Sequence, residues 1–100
     1  MIVIPLQEFL EDLHKIQKYT FEKDIYEGTD NLGLMEVEVQ IALNFIKKYP
    51  EGRPFLPDSN EMRAITIGKS SIYIVYSYWE NIDTIYLTKI RDYNQKPLNF

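Results

Sequence analysis

Three runs of β-favouring residues follow one another between Met62 and Arg91, and they constrain the fold more than any other feature of the chain. Met62–Ile67 is followed by the turn signal Gly68-Lys69-Ser70-Ser71, and Ile72–Trp79 by Glu80-Asn81-Ile82-Asp83. Thr84–Arg91 completes the series. Successive side chains of a strand point to opposite faces. The middle run therefore places Ile72, Ile74, Tyr76 and Tyr78 on one face and Tyr73, Val75, Ser77 and Trp79 on the other. Two consecutive hairpins make an antiparallel meander. A sheet this small needs a second layer to cover at least one of its faces.

The first half supplies that layer. Met1–Ile4 is a short apolar run suited to a strand, and Pro5 fits the first turn of a helix, where its missing N–H is not needed. Leu6, Phe9, Leu10, Leu13 and Ile16 recur at helical spacing, with Gln7, Glu8, Glu11, Asp12 and Lys15 on the other side. Lys18 lies near the expected end of this helix, where a cation suits the macrodipole. Tyr26–Gly33 reads as a loop, with two glycines, Asp30 and Asn31. Residues 35–41 fit two patterns. Met35-Glu-Val-Glu-Val-Gln-Ile alternates as a strand would, yet Met35, Val39, Ala42, Leu43 and Ile46 form a helical stripe. Lys47 and Lys48 followed by Pro50 and Gly52 look like a helix terminus, which favours the helix. Pro50, Gly52, Pro54 and Pro57 make a stiff connection to the sheet. The expectation is one α+β domain over residues 1–100, with a short N-terminal strand and a two-helix hairpin packed on the meander, in the order β-α-α-β-β-β.

Composition narrows the chemistry. No cysteine is present, which excludes disulfides, thiolate metal sites and a Cys nucleophile; His14 is the single histidine. No metal and no cofactor is expected, and His14 reads as a surface residue. No stretch resembles a signal peptide or reaches the length of about 20 apolar residues needed to span a bilayer, so a cytoplasmic protein is expected. The net charge of −4 is uneven. Residues 1–50 hold five basic and nine acidic residues, and residues 51–100 hold six of each. That balance argues against a general nucleic-acid binder, because phosphate neutralisation by Lys and Arg supplies most non-specific affinity. A local anion site in the second half is compatible with it.

Three stretches resemble the RelE/ParE superfamily of bacterial toxins. Residues 2–16, Ile-Val-Ile-Pro-Leu-Gln-Glu-Phe-Leu-Glu-Asp-Leu-His-Lys-Ile, are similar to the family's opening strand and helix with its Asp-Leu-x-x-Ile pattern. Ile72-Tyr-Ile-Val-Tyr resembles its central Tyr-Arg-hydrophobic-hydrophobic-Tyr strand. Ile85-Tyr-Leu-Thr-Lys-Ile-Arg-Asp-Tyr resembles its last strand and basic segment. The resemblance implies the toxin half of a toxin–antitoxin pair of the plasmid-stabilisation type, held silent in a heteromeric complex with a cognate antitoxin. RelE-like members cut messenger RNA in the ribosome, and ParE-like members poison DNA gyrase.

Metal-free RNA cleavage needs a proton taken from the ribose 2′-OH, a stabilised phosphorane and a protonated leaving oxygen. Placed by the resemblance, the catalytic candidates are Arg63, Lys89, Arg91 and Tyr93, with Lys69 the weakest further cation. Lys89 and Arg91 lie two apart on one strand, so they share a face and could clamp one phosphate. The bland alternative is that each is a solvated sheet or turn residue. The family's central strand usually carries Arg after its first aromatic residue, whereas Ile72 and Tyr73 stand here. With a pI near 4.9 and that Arg missing, the ParE-like reading is favoured over the nuclease. A non-toxic antitoxin-binding homologue is the third reading. The eight tyrosines suggest a binding surface, although at least two of Tyr73, Tyr76, Tyr78 and Tyr86 are expected to pack in the core. If helices cover one sheet face, the other exposes Tyr and Trp79, and an antitoxin segment is expected there or on the helix hairpin.

Overall fold

The computed structural model describes residues 1–68 and 71–92. Strand β1 (Ile2–Pro5) is followed by helices α1 (Gln7–Glu27) and α2 (Asn31–Lys48). Strands β2 (Met62–Thr66), β3 (Ile72–Trp79) and β4 (Thr84–Asp92) complete the fold. The sheet order is β1-β4-β3-β2. Strands β2, β3 and β4 form the expected antiparallel meander, and β1 adds to β4 in parallel. The α+β architecture and its element order therefore agree with the sequence reading.

Helix α2 settles the ambiguity at residues 35–41 in favour of the helix. Met35, Ala42 and Ile46 are buried, with Leu32, Val39 and Leu43 packed against the core around them. A strand through the same residues would bring Met35, Val37, Val39 and Ile41 to one face and leave Ala42 and Ile46 without a partner layer. The helix instead leaves Val37 and Ile41 facing solvent.

Two boundaries differ from expectation. Pro5 ends β1 rather than opening α1; it pairs with Leu87, and the next amide, Leu6 N–H, donates to the Leu87 carbonyl at 2.9 Å. A proline is tolerated there because β1 is an edge strand. Helix α1 also runs well past Lys18, to Glu27, so the interhelical loop shrinks from residues 26–33 to residues 28–30. The cause is a cap that hydropathy does not show. Gly28 takes the left-handed conformation (φ 69°) that ends α1. The buried Asp24 carboxylate then accepts from the Asn31 and Leu32 amides at 2.9 and 2.8 Å and from the Thr29 hydroxyl at 2.6 Å. These bonds satisfy the otherwise unpaired amides at the start of α2.

Phe9 and Ile16 of α1, Met35, Ala42 and Ile46 of α2, and Ile72, Ile74, Tyr76, Ile85, Leu87 and Ile90 of the sheet share the core. A register shift places Val75 opposite Lys89 and Tyr76 opposite Leu87, so Thr88 is the extra residue of a bulge in β4. The bulge resets the alternation, and Ile85, Leu87 and Ile90 all reach the core. Tyr76 is fully buried and Tyr78 packs against the core, which accounts for two of the four strand tyrosines.

Candidate functional site

The bulge decides where the basic residues of β4 go. Lys89 pairs with Val75 and Arg91 with Tyr73, so both lie on the face of the sheet turned away from Ile74 and Tyr76. β1 ends opposite Leu87, and the first turns of α1 begin there. Lys89 Nζ lies 3.9 Å from Glu8 Oε1, and Arg91 Nη2 lies 3.2 Å from the same oxygen. Arg91 Nη1 also pairs with the Asp12 carboxylate. Lys89 and Arg91 thus converge on one spot, but that spot is held by Glu8 and Asp12, and two cations meet two anions.

Arg63 is elsewhere. It pairs with Tyr76 and alternates with Ile65, which packs against the core, so it lies on the helix side of the sheet, opposite to the face of Lys89 and Arg91. Strand β3 also separates β2 from β4. The Arg63 guanidinium donates to the backbone carbonyls of Glu51, at 3.3 Å, and Arg53, and sits 4.0 Å over the Phe55 ring. It closes the 50–61 connection onto β2. A shallow depression of about 270 Å³ beside it is lined by Glu51, Phe55, Glu61, Trp79 and Glu80. Three carboxylates around that depression oppose a phosphate.

The geometry therefore brings Lys89 and Arg91 together and does not bring Arg63 to them. Tyr93 and Lys69 lie outside the described residues. Sequence reasoning missed Glu8 and Asp12 as partners of the β4 cations, since Glu8 and Arg91 are 83 positions apart and no local pattern links them. His14 is exposed on α1. Among the described residues, no group of three or more His, Asp or Glu side chains is placed to hold a metal ion, and no helix is long and apolar enough to cross a membrane.

The outer face of the sheet is less open than its aromatic content suggests. Trp79 is exposed, and its indole N–H donates to Ser77 Oγ at 3.2 Å; Val75, Ser77 and Thr84 are buried. The larger exposed apolar groups lie on the helices, with Phe21 and Ile25 on α1 and Leu34, Val37, Ile41 and Phe45 on α2. Of the two docking surfaces expected for a partner, the helix hairpin carries more of the exposed apolar residues.

No family model matches the sequence, and no curated protein does. The fold does have a counterpart. The crystal structure of the isolated Escherichia coli RelE toxin is similar over 98% of this chain and 89% of that one, with a TM-score of 0.63 and 11% sequence identity. The near-complete coverage agrees with the likeness read from the motifs of β1, β3 and β4, and the chain shares the fold of that RelE toxin.

Proposed function

We propose that this chain is the toxin of a type II toxin–antitoxin pair, of the ParE-like kind that arrests growth through DNA gyrase, and that a cognate antitoxin holds it silent in a heteromeric complex. The observation that carries the reading is the likeness to the RelE toxin fold across nearly the whole chain, with no large insertion that would bring another activity. The ion pairs favour a gyrase-type target over a nuclease. A catalytic cation has to meet the phosphorane as its charge develops, and Arg91 and Lys89 are already neutralised by Glu8 and Asp12. Arg63 is spent on backbone carbonyls. Inhibition of gyrase by a bound protein asks for no hydrolytic constellation.

A second reading has an observation of its own. Lys89 and Arg91 do converge, as a phosphate clamp would require, and the structural counterpart is a RelE toxin. In that reading the chain is a metal-independent endoribonuclease acting on ribosome-bound messenger RNA, with Arg63, Lys89, Arg91 and Tyr93 as its site residues. Induced expression in a bacterial host separates the two when growth, transcript integrity and plasmid supercoiling are followed together. The expected result is growth arrest with intact transcripts and blocked supercoiling. Transcripts cut at ribosome-bound positions would overturn the gyrase reading, and unimpaired growth would leave a non-toxic antitoxin-binding homologue.

A further inference from the structure

The depression beside Arg63 opposes a phosphate but suits the opposite charge. It lies where β2 begins and β3 ends, and Phe55, Tyr78 and Trp79 give it an aromatic wall. Phe55 and Trp79 are 46% and 43% exposed. The Trp79 ring is fixed, because its indole N–H donates to Oγ of the buried Ser77 at 3.2 Å. With that N–H satisfied, the exposed part of the ring offers π surface.

Glu51, Glu61 and Glu80 continue the lining, and Arg63 is its cation. All three carboxylates are exposed, and none forms an ion pair among the described residues. Three negative charges therefore face one positive charge, and that one is already held over Phe55 and by the carbonyls of Glu51 and Arg53. The excess is felt inside the cavity. Burial, and after it the carboxylates of Asp83, Glu80 and Glu51, hold the Tyr78 phenol above the usual tyrosine range.

Aromatic faces and carboxylates favour the same visitor. A ring attracts a cation over its face, and a carboxylate attracts it by charge and accepts its hydrogen bonds. A guanidinium uses both, since it is flat enough to stack and carries five donors. Arg63, 4.0 Å over Phe55, shows that this wall takes a guanidinium. At about 270 Å³ the space is below the roughly 300–1,000 Å³ of small-ligand pockets, so it holds one side chain. A shallow site gains too little from a free cation to offset the cost of association. A cation carried on a chain brings flanking residues that cover Phe55 and Trp79. We propose that this depression receives an arginine side chain of a partner protein, seated against the Trp79 ring among the carboxylates of Glu51, Glu61 and Glu80. An aromatic centre with a polar rim is the anatomy of an interface anchor, and arginine is enriched at such anchors. A nucleic acid is refused by the same carboxylates.

Trp79 is the single tryptophan of the chain, so its fluorescence reports on this site without reference to toxicity. The full chain, made by cell-free synthesis, is titrated with the blocked peptide Leu-Ser-Arg-Ser-Leu and with its counterpart carrying neutral citrulline for arginine. The arginine peptide is expected to shift the emission saturably, with half-saturation at about 1 mM. The citrulline peptide binds at least about tenfold more weakly. So does methylguanidinium, the same head group without a chain, by about the same factor. Glu61→Gln combined with Glu80→Gln weakens the arginine peptide by about three- to tenfold at unchanged circular dichroism. Glu22→Gln combined with Glu27→Gln, which removes two charges on α1 outside the cavity, leaves its affinity unchanged. Absence of a saturable shift, or equal binding of citrulline peptide or methylguanidinium, would overturn the proposal. So would an α1 pair that weakens binding as much as the cavity pair.

Discussion

The sheet carries an arginine on each side, and the two are used in different ways. On β2, Arg63 is clasped by the backbone carbonyls of Glu51 and Arg53 and by the Phe55 ring. On β4, Arg91 is clasped by the carboxylates of Glu8 and Asp12, with Lys89 alongside. Carbonyls of a connecting segment cannot leave without that segment, so Arg63 is tied to the fold. Of these carboxylates only the half-exposed Glu8 can readily be displaced by another anion, whereas Asp12 is largely buried and holds Arg91 in place. An arginine's prospects as a functional group depend on whether its partners are backbone or exchangeable side chains.

The largest effect expected from this contrast is on Arg63. Replacement by Ala leaves two carbonyls without their donor and uncovers Phe55, at a cost of about 2 kcal/mol in urea unfolding. Arg63→Lys recovers less than half of that, because an ammonium cannot both fork between two carbonyls and lie flat on a ring. If Arg63→Ala cost no more than loss of the β4 ion pairs, the distinction between the two arginines would be broken.

Asp24 sharpens the same point with the opposite charge. Its carboxyl is held below the usual carboxylate range, chiefly by the Thr29 hydroxyl and also by the Leu32 and Asn31 amides, against the upward push of burial. A group with a lowered folded pKa binds fewer protons folded than unfolded. Its contribution to stability is present above the unfolded value of 3.8 and is lost as pH falls through the lower folded value. Asp24→Asn is expected to lower Tm at neutral pH, and the gap from the natural chain should narrow on acidification to about pH 3. A gap that stays constant with pH would mean that the charge is not what holds the start of α2.

The smallest effect on stability is expected at β4. The combined change Glu8→Gln and Asp12→Asn removes one half-exposed and one largely buried carboxylate but leaves amides of the same shape to accept from Arg91, and it costs about 1 kcal/mol. Its readout is instead binding of a short single-stranded RNA by fluorescence anisotropy, which should tighten severalfold as Lys89 and Arg91 are released. Unchanged RNA affinity would show that these two cations do not form a phosphate site even when freed, and it would weaken the nuclease reading further.

Much of this molecule was legible from residue order. Three β-rich runs with short turns dictated a meander, because a two-residue alternation bounded by turn residues has few other solutions. The stripe Phe9, Leu13, Ile16 dictated α1, and the pair of expected helices plus one sheet left only a two-layer α+β arrangement. Local pattern was weaker where two periods coexist. Residues 35–41 carry both a strand alternation and a helical stripe, and only the requirement to bury Met35, Ala42 and Ile46 against the sheet selects the helix. The end of α1 was misplaced because its terminator is a buried carboxylate reaching forward to amides seven and eight residues on, a contact with no hydropathy signature.

The basic residues show the remaining division. Sequence alone determined which cations exist, that Lys89 and Arg91 share a strand face, and that the chain as a whole is too acidic for broad nucleic-acid binding. Tertiary structure alone decided that Arg63 stands on the other face of the sheet and that Glu8 and Asp12 occupy the place where Lys89 and Arg91 meet. Charge is a property of a residue and is read directly from the chain. Whether that charge is free, paired or bound to backbone depends on contacts between segments far apart in sequence, and those form only when α1 packs beside β4.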